Sequence, residues 1–266
     1  MRDVGGACKA AEFLSLLLNV IKYNAAYVDD IVVAEVVKYA CYHCSWNNQD
    51  EVVNISLQVL DTIVCYSNLP PDSLPIFIIT LCLKVNVYKY SHNCWKIMRN
   101  LLGTHMGHST LYTMCKILQD PTNYNEPGIL RGAVFYINMG LWSAKKVSSL
   151  RCTYTSVLPS ILQAMQCNHT IVVYEITLSI HRLVNKYGLE LQDSAWDVVL
   201  SILEAITKHV EDKEPASVMP VVTKLHDTLC TVETLIELGQ FNGSVRKVFS
   251  LIEMSSSVRP VSIHKT

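Results

Sequence analysis

A chain of 266 residues that is half hydrophobic and only 17% charged can bury a substantial core, and its composition excludes disorder over most of its length. The net charge of −1 excludes a uniformly basic nucleic-acid binder. The longest uncharged apolar stretches, Leu74–Leu83 and Gly132–Ala144, fall well short of the about 20 residues that a membrane span needs.

Apolar residues recur at helical spacing almost throughout. An opening helix is expected near Ala11–Tyr23, then helices near Asp30–Cys44 and Val52–Tyr66. The run Leu69-Pro70-Pro71-Asp72-Ser73 reads as a breaker followed by a cap, with a helix from there to about Asn86 and Pro75 in its first turn. Cys94–Trp142 reads as two helices, a tight turn and a third helix that Pro127 opens. Further on, Ser156 is expected to cap a helix with Pro159 in its first turn, and Ser217 another with Pro220 in its first turn. Clean apolar stripes follow over Val172–Tyr187, Trp196–Val210 and Val218–Leu235, then a short helix near Val245–Met254. Strand signals are weak. About twelve helices, taken pairwise, make about six units of roughly 40 residues, the period of HEAT or armadillo repeats. The expected fold is therefore an all-α, HEAT/armadillo-like α-solenoid over residues 1–254, with a polar, flexible tail at 255–266. Neither end reads as a polar capping repeat, so the chain is expected to be part of a longer array.

Charge is unevenly placed. From Ser73 to Tyr174 there are nine Lys or Arg against two acids, a net of +7, while the rest of the chain carries −8. Such a basic middle can face an acidic partner. Ten cysteines are dispersed, mostly within apolar helical runs as Cys65, Cys82, Cys115 and Cys230 are, which is the pattern of free, buried thiols in a reducing compartment. The run Phe13–Leu18 follows Glu12 without a cleavage pattern, so it does not read as a secretory signal. The expected location is cytoplasmic.

Motifs of chemistry are sparse. Cys41 and Cys44 are spaced like half of a metal site, yet no second Cys-x-x-Cys completes it. His105 and His108 flank Gly107 in a turn where imidazoles more often satisfy helix ends than bind ligands. A metal- or thiol-dependent enzyme built on Cys41, Cys44, His105 and His108 is the alternative of a different class. No nucleophile elbow, phosphate loop, zinc-protease helix or dinucleotide fingerprint occurs. No catalytic residue, cofactor or metal is expected. Tyr88, Tyr90, Trp95 and Tyr112 are spaced like packing aromatics and not like a nucleic-acid stacking platform. Leu130, Val134, Ile137 and Leu141 repeat at four-three-four, the spacing of a coiled-coil seam or of an inner repeat face.

The segments CWKIMRNLLGTHMGHSTLYTMC (Cys94–Cys115) and ILRGAVFYINMGLW (Ile129–Trp142) closely resemble the amino-terminal helical region of the tuberin family. Further blocks at Ser56–Tyr66, Ser73–Cys82, Thr155–Met165, Val172–Tyr187 and Phe241–Ser244 extend the resemblance over nearly the whole chain. It implies a HEAT-type solenoid without catalytic function, associating with a hamartin-like coiled-coil protein. It also implies that the full-length family protein is a GTPase-activating protein for Rheb that restrains TOR signalling. The family's catalytic domain has no counterpart here, and any membrane association is peripheral, through the complex. On that reading Lys84, Lys89, Lys96 and Arg99 form a partner-binding rim. Trp95, Met98, Leu101, Leu102, Arg131, Phe135 and Trp142 form a structural core, with Arg131 pairing with a carboxylate or helix carbonyl of the next repeat. The competing reading is a generic HEAT-repeat adaptor.

Overall fold

The computed structural model describes residues 4–24, 27–144 and 146–257. Among them are twelve α-helices and no strand: α1 (Val4–Asn24), α2 (Asp30–Trp46), α3 (Asp50–Cys65), α4 (Leu74–Lys84), α5 (Tyr88–Leu102), α6 (Gly107–Gln119), α7 (Pro127–Leu141), α8 (Tyr154–Ala164), α9 (Thr170–Tyr187), α10 (Asp193–Glu211), α11 (Pro215–Glu237) and α12 (Val245–Ser257). They form two compact units, Met1–Met114 with Val147–Leu150, and Cys115–Lys146 with Arg151–Thr266.

Within each unit, a helix packs on the helix two places along the chain. In the first, α1 packs on α3, α3 on α5 and α2 on α4. In the second, α7 packs on α9, α9 on α11, α8 on α10 and α10 on α12. Odd and even helices thus form separate layers, the stacking of a HEAT-like α-solenoid, in which one helical pair buries its apolar face only against the next. Hydrogen bonds between helices repeat at the same period. Their sequence separations are 39 for Lys89 to Asp50, 44 for Arg131 to Glu175, 47 for His181 to Thr228 and 50 for Lys247 to Asp197.

Local chemistry sets most helix ends. Pro127 opens α7 and Pro75 is in the first turn of α4, where an absent N–H is not missed. The expected caps at Ser156 and Ser217 are not used. α8 starts at Tyr154 after Thr153, and α11 starts at Pro215 after Glu214, so Pro159 and Pro220 lie inside their helices. Pro215 is itself a better helix opener than Ser217 is a cap, because its fixed φ already suits the first helical position. The Ser156 hydroxyl instead donates back to the Thr153 carbonyl at 2.7 Å. α12 continues through Met254 to Ser257, and residues 258–266 of the expected tail lie outside the described residues.

Between α5 and α6 the chain turns at Gly103–Met106. Thr104 holds that turn: its hydroxyl donates to the Leu101 carbonyl at 2.7 Å and accepts from the Met106 N–H at 3.2 Å. A Cβ on Gly107 would lie 2.2 Å from the Leu102 carbonyl oxygen, so only glycine lets α6 begin this close to the end of α5.

The four-three-four series Leu130, Val134, Ile137 and Leu141 is buried and forms an inner face of its repeat. Cys82 and Cys115 are buried as expected, but Cys65 and Cys230 are exposed, because they fall on the outward sides of α3 and α11.

Candidate partner-binding surface

α5 carries the most distinctive surface of the first unit. Cys94, Trp95, Met98, Leu101 and Leu102 recur at helical spacing and turn inward, and all are buried. The other face presents Lys89, His92, Lys96 and Arg99, and α5 contains no acid to neutralise them. Tyr88, at the start of this face, is 95% exposed.

Across from it, α3 supplies carboxylates. Asp50 accepts from the Lys89 ammonium and, at 2.8 Å, from the Tyr90 hydroxyl. These two donors hold the Asp50 carboxyl below its usual range, and Asp50 in turn raises the Lys89 ammonium. The Lys89 nitrogen also lies 4.9 Å from the centre of the Tyr90 ring. One repeat face further along, Lys96 donates to Asp61 at 2.9 Å, and Asn100 reaches the same carboxylate at 3.4 Å. Such solvent-exposed ion pairs add little to stability, but they fix where the lysine heads sit.

The four residues expected to form one rim are therefore not equivalent. Lys89 and Lys96 share the α3-facing side of α5 and are paired with acids. Arg99 is exposed on the same helix. Lys84 departs from the rim. It is half-buried at the end of α4, close enough to Cys44 and Cys94 to favour their thiolates, because α4 turns its last residue toward the α2 and α5 thiols. Periodicity within α5 reveals the basic face, but Asp50 and Asp61 lie 39 and 35 residues before their lysines, and only stacking brings them together.

The core residues divide similarly. Trp142 is 1% exposed, and its indole N–H donates to the Ser179 carbonyl at 3.0 Å. Phe135 is only half-buried, its ring 5.5 Å from that of Tyr136, since it faces the flank of α7 and leaves the inner position to Tyr136. Arg131 Nε donates to Glu175 Oε2 of α9 at 3.3 Å. Burial raises the Glu175 carboxyl, and the guanidinium of Arg131, with Arg182 beyond it, acts against that rise. Tyr90 and Trp95 pack inward, whereas Tyr88 and Tyr112 are exposed.

The enzyme alternative finds no support in the geometry. Cys41 and Cys44 are buried and their thiols are pushed up to about 12 by desolvation, whereas a reactive nucleophile must be a thiolate. His105 and His108 are exposed, and no group of three or more His, Cys, Asp or Glu is placed to hold a metal among the described residues. No described helix is long and apolar enough to cross a membrane.

Comparison with known proteins agrees with this architecture. Residues 6–266 match the family described as a domain of unknown function, DUF3384. The solved structure titled "Structure of the TSC2 N-terminus" superposes with a TM-score of 0.77 at 17% identity, over 92% of this chain and 62% of that chain. At this identity the likeness establishes the fold, and the chain spans less than two thirds of that structure's length. With its family match unbroken over 6–266 and its helices stacked as in that amino terminus, the chain belongs to DUF3384, the tuberin amino-terminal family.

Proposed function

We propose that this chain is a non-catalytic binding segment of a tuberin-like protein, and that the outer face of α5 receives a hamartin-like coiled coil. The observation that carries this reading is the exposed series Tyr88, Lys89, His92, Lys96 and Arg99 on a helix without acids, in a member of this family. A coiled coil lined with acidic side chains would meet these cations along one helix length. Lys89 and Lys96 already have carboxylate partners, so docking exchanges one ion pair for another. The charges then contribute to encounter rate and register more than to affinity. Tyr88 is the natural anchor, since exposed aromatics that become buried carry much of an interface's energy. In the full-length protein, this segment would scaffold a complex whose GTPase-activating domain acts on Rheb and restrains TOR signalling in the cytoplasm. Any contact with membranes would be made through that complex.

The test is association kinetics between the full chain and a purified hamartin coiled coil at several salt concentrations. Reversing Lys96 and Arg99 to Glu is expected to slow association by roughly tenfold at low salt and to flatten the salt dependence. Unchanged kinetics in the double variant would remove α5 from the interface. Absence of binding by the unaltered chain would overturn the partner assignment and leave the generic adaptor reading.

A further inference from the structure

Of all the asparagines in this chain, only Asn242 is followed by glycine, in the corner between α11 and α12. Ahead of a glycine the asparagine side chain is open to attack by the next main-chain nitrogen, because no Cβ on that residue restricts the approach. Asn54, Asn93, Asn100, Asn138 and Asn185 lie within helices, where the following N–H is held in the helical ladder. The backbone at Asn242 is free of that restraint. α11 ends at Glu237, α12 starts at Val245, and Gly243 sits in a bend between them. Asn242 is exposed to solvent, and its Nδ2 reaches the Leu191 carbonyl only at 3.5 Å, the outer limit of a hydrogen bond.

The packing of the corner requires the very glycine that makes its neighbour labile. A Cβ on Gly243 would lie 2.7 Å from Phe241 Cζ and 2.8 Å from Trp196 Cβ. Trp196 of α10 is fully buried, and the Phe241 ring meets it edge-on with centroids 4.7 Å apart. Directly after the pair, Ser244 opens α12. Its carbonyl accepts from the Val248 N–H at 3.2 Å, and its hydroxyl faces the Lys247 N–H at 3.5 Å. α12 packs on α10 and α11 and buries Val248 and Leu251. The labile pair therefore links the Phe241 contact on Trp196 to the first turn of α12.

We propose that Asn242-Gly243 is a site of spontaneous deamidation and isomerisation, and that its conversion loosens the seat of α12. The Gly243 nitrogen, giving its proton to water or hydroxide, attacks Asn242 Cγ. A C–N bond forms, the Cγ–Nδ2 bond breaks, and ammonia leaves. Water then opens the cyclic imide. Opening at Cγ gives aspartate, whose carboxylate has no N–H for the Leu191 carbonyl. Opening at the main-chain carbonyl gives isoaspartate, which adds a methylene to the main chain between Phe241 and Ser244. Water is the only co-reactant.

The experiment ages the purified full chain at mildly alkaline pH, in the native state and in urea. Mass spectrometry follows the Asn242 peptide for a gain of about 1 Da, and electron-based fragmentation separates aspartate from isoaspartate. Asn242 is expected to convert ahead of every other asparagine, at a native rate of at least about a tenth of that in urea. Hydrogen exchange in α12 is expected to quicken in the aged chain. It should stay unchanged in equally aged Asn242→Gln, whose longer side chain closes the corresponding ring only slowly. Native Asn242 that stays intact while the urea sample converts would overturn the proposal, since the corner would then hold the amide away from Gly243. Exchange in α12 that is the same in the aged chain and in aged Asn242→Gln would overturn the loosening.

Discussion

His209 of α10 is 5% exposed and clasps the corner that leads into α9. Its Nδ1–H donates to Asn168 Oδ1 at 2.6 Å, and its Nε2 accepts from the Thr170 hydroxyl at 3.2 Å, so the geometry suits the neutral ring. Asn168 is in the left-handed region, φ 50°, and the clasp helps to hold it there. Burial lowers the His209 pKa, and nearby Lys213 and His169 lower it further while Asp212 opposes them. A depressed histidine contributes stability that is present above its ordinary pKa and is lost as pH falls through the folded-state value. His209→Ala is accordingly expected to cost about 1–2 kcal/mol near pH 8, a cost that shrinks toward pH 5. Urea denaturation of both proteins across that range checks it. A cost that is constant with pH would show that the ring is not held neutral.

At the scale of the helix, two C-termini adopt the same geometry with different residues. After α11, Gly239 N–H donates to the Ile236 carbonyl and Gln240 N–H to that of Leu235, with Gly239 at φ 65°. After α3, Ser67 N–H donates to Val64 and Asn68 N–H to Ile63, with Ser67 at φ 58°. Both are Schellman ends, and the left-handed position costs an L-residue free energy that glycine does not lose. Ser67→Gly is therefore expected to stabilise the chain by about 1 kcal/mol, and Gly239→Ala, which has open space around it, to destabilise it by about the same amount. Thermal melts of the two variants test the pair. A destabilised Ser67→Gly would mean that the serine side chain has a role beyond the turn.

At the scale of the molecule, the first unit buries four thiols, Cys41 and Cys44 of α2, Cys82 of α4 and Cys94 of α5. Desolvation pushes Cys41, Cys44 and Cys94 up to about 12 and raises Cys82 as well. Neutral thiols under packed helices react only when the helices part. Alkylation followed by mass spectrometry is expected to mark the exposed Cys230 in the native protein, and these four only in step with unfolding of their unit. Rapid native labelling of Cys41 or Cys44 would revive a thiol chemistry that the packing argues against.

Helix content, pairing and period were legible from the residues alone, because an apolar stripe at helical spacing constrains a chain locally and needs no knowledge of its neighbours. The inward series Met98, Leu101 and Leu102 and the basic face of α5 belong to this class. Helix starts were less legible: Ser156 and Ser217 are good capping residues, yet the helices begin earlier at Tyr154 and Pro215, since a capping residue also fits a first turn. What crosses from one repeat to the next could not be read. Glu175 for Arg131, Ser179 for Trp142 and Asp61 for Lys96 each join residues about one repeat apart. A stripe records which face is buried but not the rotation and offset with which two helices stack, and those two quantities decide which polar side chains meet.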